Sequence, residues 1–150
     1  MSSTDREMMS RALQLAAKGR YTTSPNPAVG CVIALDGAVV AEGYTRPAGG
    51  SHAEIEALQS AGSIVGATAY VTLEPCSHQG KTGPCADALI AAGIARVVIA
   101  GEDPNPQVAG AGIKKLQDAG IEVDVGLLED QARDINSGFI KRQEQGTPWV

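Results

Sequence analysis

Apolar positions along this 150-residue chain recur with two different periods, and the switches between them mark its elements. Residues 4–18 follow a helical period that places Met8, Leu13, Leu15 and Ala16 on one side. The turn-rich YTTSPNPAVG is followed by CVIALDGAVVAEGY, in which two β-rich runs flank Asp36-Gly37. That dipeptide suits a tight turn and predicts a hairpin. From there one grammar repeats. Ala61-Gly62, Ala92-Gly93 and Ala119-Gly120 each close a helical pattern, and a β-branched run follows each. Strands are predicted over about residues 67–73, 95–100 and 121–125. The middle one, ARVVIA, is apolar on both faces, as the centre of a sheet covered on both sides would be. Leu128, Ala132, Ile135 and Phe139 mark a final amphipathic helix. Helix, hairpin and then alternating α and β predict a three-layer α/β/α sandwich around a mostly five-stranded mixed sheet. The recurring Ala-Gly pairs reflect shared helix-stop chemistry and not an internal repeat. No linker divides the chain, so residues 1–150 are expected to form one domain.

Composition narrows the function classes. Apolar residues make up 43% of the chain, as in an ordinary folded domain. The formal net charge is −5 and no run of lysine or arginine stands out, which argues against nucleic acid as a partner. One Trp, three Tyr and one Phe leave little for stacking bases. No charged-then-apolar leader and no membrane-length apolar run are visible, so a cytoplasmic chain without a membrane partner is expected. In such a reducing compartment three cysteines are unlike a disulfide framework.

The segment LEPCSHQGKTGPCADAL holds two of those cysteines, each directly after a proline. Cys76 lies just past a predicted strand, and Cys85 opens the helical pattern CADALIAAG. The positive end of a helix favours thiolate, the form that binds zinc. The eight intervening residues exceed the usual spacing of two to four, so this pair alone does not separate a metal site from two inert core cysteines. GGSHAEIEAL adds His52 and Glu54. An imidazole and two thiolates make three ligands, and the open fourth position suits water activation by zinc. Glu54 would then carry protons without touching the metal, as in the H-x-E and Pro-Cys arrangement of zinc deaminases. Ser51-His-Ala-Glu54 is also a capping-box pattern, in which Glu54 would only bind the helix N-terminus. A capping box does not explain why His-x-Glu and two Pro-Cys pairs all fall at helix-initiating positions on one end of consecutive β/α units. Ligands gather outside the carboxyl ends of strands in open α/β sheets, and the combination is read as a catalytic zinc site. Residues at i and i+2 of a regular helix diverge, so His52 and Glu54 can share a cleft only from its opening turn. Cys31, inside a predicted strand, is expected to be a small core residue. His78, in the loop between the two cysteines, is read as a substrate contact.

TSPNPAVGCVI, GGSHAEIEAL, YVTLEPCSHQGKTGPCADALIAAG, EDPNP and VAGAGIKKLQDAGI occur in that order. Together they resemble the pyrimidine deaminase domain of riboflavin biosynthesis, within the cytidine deaminase-like superfamily, over residues 5–150. The resemblance implies hydrolysis of 2,5-diamino-6-ribosylamino-4(3H)-pyrimidinone 5′-phosphate to 5-amino-6-(5-phosphoribosylamino)uracil and ammonia. It implies zinc held by His52, Cys76 and Cys85, attack of metal-activated water on the ring carbon bearing the amine, and Glu54 as the proton shuttle. It also implies substrate contacts at Asn26, Asp103 and Asn105, each of which would otherwise be a turn residue. Lys81, between Gly80 and Gly83, is the expected phosphate contact, with a solvated loop lysine as the alternative. Many relatives carry histidine at the position of Thr45; here Arg46 is the expected substitute in anchoring ribose or phosphate. Relatives commonly continue into a nicotinamide-dependent reductase domain, and this chain stops after GTPWV. A reductase domain, separate or excised, and a second copy of the chain are the protein partners the resemblance raises.

Two other classes compete. Another deaminase would act on cytidine, guanine or a tRNA adenosine, but the lysine-bearing PCSHQGKTGPC loop and the acidic charge speak against RNA. A non-catalytic zinc-stabilised binding module would have no use for Glu54 beside three strong ligands. A thiol-redox protein would need a C-x-x-C pair, which is absent.

Overall fold

Asp36 and Gly37 both take positive φ, 54° and 81°, the signature of a two-residue turn whose twist matches that of paired strands. They join β1 (Gly30–Leu35) to β2 (Ala38–Tyr44), with a register shift between Ile33 and Ala34. The computed structural model describes residues 3–19, 29–44, 53, 57–58, 64–74, 85–101 and 110–135. Around the hairpin run α1 (Ser3–Gly19), β3 (Thr68–Val71), α2 (Cys85–Ala91), β4 (Arg96–Ile99), α3 (Ala111–Asp118), β5 (Glu122–Val125) and α4 (Glu129–Ile135). Each lies where the periodicity places it, with strands trimmed by one to three residues. Gly62 and Phe139 lie outside the described residues.

The sheet order is β2-β1-β3-β4-β5. β1 runs antiparallel to both neighbours, whereas β3, β4 and β5 are parallel, giving the expected mixed five-stranded sheet. Alternate residues feed two cores. Cys31, Ile33, Ala69, Val71, Val97 and Ile99 face one side with Leu89 of α2 and Leu116 of α3. Val32, Ala34, Tyr70 and Val98 face the other, against Met8, Met9, Ala12, Leu13 and Leu15 of α1 and Ala132 of α4. This is the three-layer sandwich, and Val97 to Ala100 of ARVVIA are buried on both faces, while Ala95 is exposed and Arg96 half-buried. Fully buried side chains such as Met9, Ile33, Leu89 and Leu116 contribute about 1.5–3 kcal/mol each. Cys31 is fully buried in the first core.

Chain reversals follow the Ala-Gly signals. The amide N–H of Gly120 binds the Gln117 carbonyl at 2.9 Å, and that of Ile121 binds Leu116 at 3.1 Å. This paired closure needs a left-handed residue, and Gly120 has φ 87°. The end of α2 repeats it, with Gly93 donating to Ile90 and Ile94 to Leu89. A different constraint acts at Gly30, where an added Cβ would stand 1.9 Å from the Ala12 carbonyl oxygen. Only the absence of a side chain lets the start of β1 pass so close to α1.

Among the described residues three polar side chains are buried: Asp5, Thr72 and Glu74. Asp5 ties α1 to the amino end of the parallel strands. Its Oδ1 accepts from the Tyr70 hydroxyl at 2.7 Å, and Arg96 donates to both carboxylate oxygens at 3.0 and 3.1 Å. Arg96 also donates to Asp124, at 2.8 Å from Nη2. Burial and the bond to Asp5 push the Tyr70 phenol up to about 12. The bonds to Asp5 and Asp124 raise the Arg96 pKa further, against the opposing effect of burial.

Candidate active site

The register of the sheet defines one rim. Tyr44 closes β2 opposite Gly30, which opens β1. The Thr72 N–H donates to the Gly30 carbonyl at 3.1 Å, and its hydroxyl accepts from the Gly30 N–H at 3.1 Å. Ala100 donates to Val71 and Gly126 to Ile99, at 3.0 and 2.9 Å. Tyr44, Gly30, Thr72, Ala100 and Gly126 therefore form one row at the carboxyl ends of the parallel strands. This is the edge at which open α/β sheets bind ligands.

The segments that carry the expected site residues attach here. Residues 21–28, with Asn26, lead into β1, and residues 45–52, with Thr45, Arg46 and His52, follow β2. Residues 75–84, with Cys76, His78 and Lys81, follow the extension of β3, and residues 102–109, with Asp103 and Asn105, follow that of β4. All of these residues, and Glu54, lie outside the described set. Cys85 is placed in its backbone as the first residue of α2, the helix-opening position expected for it, while its side chain lies outside the described set. Ala53 and Ala86, the residues immediately after His52 and Cys85, are both fully buried in the core cluster that includes Val71. No helix among the described residues is long and apolar enough to cross a membrane.

One residue at this rim has no role in the sequence reading. Glu74, which precedes Pro75-Cys76, caps α3 from across the sheet. Helix α3 has Gly110 at its N-cap, a residue without a side chain to offer. Glu74 supplies the acceptor instead: Oε1 takes the Gly110 N–H at 2.9 Å, and Oε2 takes those of Gly112 and Ile113 at 2.7 and 3.2 Å. A carboxylate suits the positive end of a helix, and its bonds are charge-assisted. The Glu74 N–H in turn donates to the Gly101 carbonyl at 2.9 Å. The available signal was a carboxylate at the end of a strand with no neighbouring cation in the sequence, which does not reveal its partner. Thr72 was missed for the same reason: its partner Gly30 is distant in sequence.

Residues 2–101 match the sequence family described as the cytidine and deoxycytidylate deaminase zinc-binding region. The riboflavin biosynthesis protein RibD of Escherichia coli is 59% identical over 147 residues, covering 97% of this chain and 40% of that protein. A diaminohydroxyphosphoribosylamino-pyrimidine deaminase of Buchnera aphidicola subsp. Schizaphis graminum is 50% identical over 145 residues, covering 96% of this chain and 99% of that protein. The solved structure of Acinetobacter baumannii RibD superposes with a TM-score of 0.94 at 51% identity, over 97% of this chain and 41% of that one. The chain thus spans about two fifths of the length of these RibD relatives. Fold and family model together define a protein of the cytidine and deoxycytidylate deaminase class. Within that class, the chain belongs to the diaminohydroxyphosphoribosylaminopyrimidine deaminases of riboflavin biosynthesis.

Proposed function

We propose that residues 1–150 form one deaminase domain that hydrolyses the exocyclic amine of the phosphoribosyl diaminopyrimidinone, releasing ammonia and the corresponding uracil. The observation that carries this reading is the common rim. Segments bearing Asn26, His52, Cys76 and Asp103 attach to the strand ends there, and Cys85 opens a helix. Family membership supports the reaction class.

The donor chemistry of His52, Cys76 and Cys85 fits zinc: one imidazole and two thiolates match its borderline-soft preference, and three protein ligands are the number used at catalytic sites. When bound, the metal makes water nucleophilic near neutral pH. Glu54 would take both protons of the attacking water in turn, delivering the first to the ring nitrogen and the second to the departing amine. The carbon–nitrogen bond breaks, the water oxygen stays on the ring carbon as the new carbonyl, and ammonia leaves. Lys81 and Arg46 are assigned to the phosphate, with Thr45 offering only a short hydroxyl. Asn26, His78, Asp103 and Asn105 are assigned to the ring and ribose. A reductase domain, on the same or another chain, is the proposed partner.

Metal analysis coupled to an ammonia-release assay tests the reading. One zinc per chain is expected, and Glu54→Gln is expected to retain the metal while losing at least about a hundredfold in kcat, the lower range for general acid–base catalysis. Ammonia from cytidine or tRNA adenosine, with none from the diaminopyrimidinone, would replace the substrate. Full function in Glu54→Gln would replace the enzyme with a zinc-stabilised binding module.

A further inference from the structure

We infer that Glu74 is a positioning residue that closes the neck between Gly101 and Gly110, which flank segment 102–109, and ties it to the chain that leads through Pro75 to Cys76. The inference rests on the proposed function, in which Asp103 and Asn105 contact substrate and Cys76 binds metal. Gly101 is the last described residue before that segment and Gly110 the first after it. Glu74 holds both: its backbone N–H donates to the Gly101 carbonyl, and its carboxylate accepts from the Gly110 N–H. One residue therefore bridges the two positions that flank these eight residues. The second carboxylate oxygen extends the grip to Gly112 and Ile113, so the orientation of α3 and the width of the neck are set together.

Several features make this more than a helix cap. Caps are ordinarily supplied by the residue at the helix start, within a few positions of the amides they bind. Here the acceptor comes from three residues past the end of β3, 36 to 39 residues earlier in the chain. The carboxylate is buried, so water does not substitute easily for the amides, and both oxygens are committed. Glu74 is also covalently linked, through Pro75, to Cys76. Proline fixes φ near −65° and shortens the list of ways in which a displacement of Glu74 could be absorbed before Cys76. A shift of α3 relative to β3 would therefore move Gly110 relative to Glu74, two residues before Cys76, and the bonds of Glu74 oppose that shift.

Glu74→Gln preserves size and one acceptor oxygen but points an NH2 group at an amide N–H. Two measurements on the full chain test the clamp. Hydrogen exchange at the Gly112 and Ile113 amides is expected to accelerate at least about tenfold, as local opening of the helix start requires less free energy. Steady-state kinetics are expected to show KM for the phosphoribosyl diaminopyrimidinone raised about tenfold, the scale of one lost charge-assisted hydrogen bond, with kcat within about threefold of wild type. A purely structural role would lower the unfolding midpoint and leave KM alone. Met9→Ala is the control: Met9 is fully buried in α1, in the core on the opposite face of the sheet from α3, so its truncation destabilises the domain without touching the neck. Wild-type exchange at Gly112 and Ile113, an unchanged KM, or an equal rise of KM in Met9→Ala would each overturn the inference. Absence of turnover by the wild-type chain would instead defeat the functional reading, and the exchange measurement would still decide whether the clamp operates.

Discussion

The two ends of the parallel strands are both tied by a buried carboxylate, and the ties differ in kind. At the amino end Asp5 reaches from α1 to side chains, the Tyr70 hydroxyl and the Arg96 guanidinium. At the carboxyl end Glu74, just past β3, reaches to backbone amides at the N-cap and first turn of α3. The first tie joins charged partners that could be replaced by apolar packing at little net cost, since pairing a buried charge mainly offsets its own desolvation. The second satisfies helix-terminal amides that no apolar residue could satisfy. One end is built for cohesion. The other holds the start of α3 to the residue that precedes Pro75-Cys76.

The largest expected effect at the amino end follows from Asp5→Ala. It leaves Arg96 with Asp124 and a 3.6 Å pairing to exposed Glu122, and it strands the Tyr70 hydroxyl, for a loss of about 3 kcal/mol in urea unfolding. KM should not move, because the change lies at the end of the sheet away from the rim; a raised KM would erase the division between the ends. Tyr70→Phe is milder, about 1–2 kcal/mol, because Arg96 still holds Asp5. It also carries a pH signature. The Tyr70 phenol is pushed up from 10.0 to about 12, so the folded state keeps its proton longer than the unfolded chain. Its contribution is complete below the unfolded value and is lost as pH rises through the folded one. The stability gap between wild type and Tyr70→Phe should therefore narrow between pH 10 and about 12, and a gap constant across that window would remove the phenol from the network. The smallest effect belongs to Arg11→Ala. Arg11 is paired on the surface with Glu42, whose carboxyl is held below its usual range by that hydrogen bond. The contribution is present above the ordinary carboxylate value and fades as pH falls through the lowered one. Exposed pairs are screened, so unfolding midpoints in moderate salt should match wild type.

Much of this architecture was legible before any coordinates. Helix α1 appears with Met8, Leu13, Leu15 and Ala16 buried, the hairpin turns at Asp36-Gly37, and the double-faced strand is double-faced. These features are local, since a period or a turn dipeptide acts over a few residues. Cys85 falls at the first residue of α2 for the same reason. Met9 and Ala12 complete the buried face of α1 without having been singled out, because a helix packed against a sheet buries a broader stripe than its most regular positions suggest. Glu74 was quoted within a motif and given no role. Its partners come from Gly110 to Ile113, and no spacing rule links a strand-end carboxylate to a helix that begins dozens of residues later.

Apolar periodicity, turn chemistry and the order of His, Glu and Pro-Cys motifs are properties of neighbouring residues, so the chain itself specified its elements, its sandwich and its deaminase-type residues. Which strand ends share a row, and which residue bridges Gly101 and Gly110, depend on sheet order and on contacts between distant segments. Those contacts exist only once the cores on both faces have formed, because burial is what makes a carboxylate such as Glu74 seek amides across the sheet instead of water.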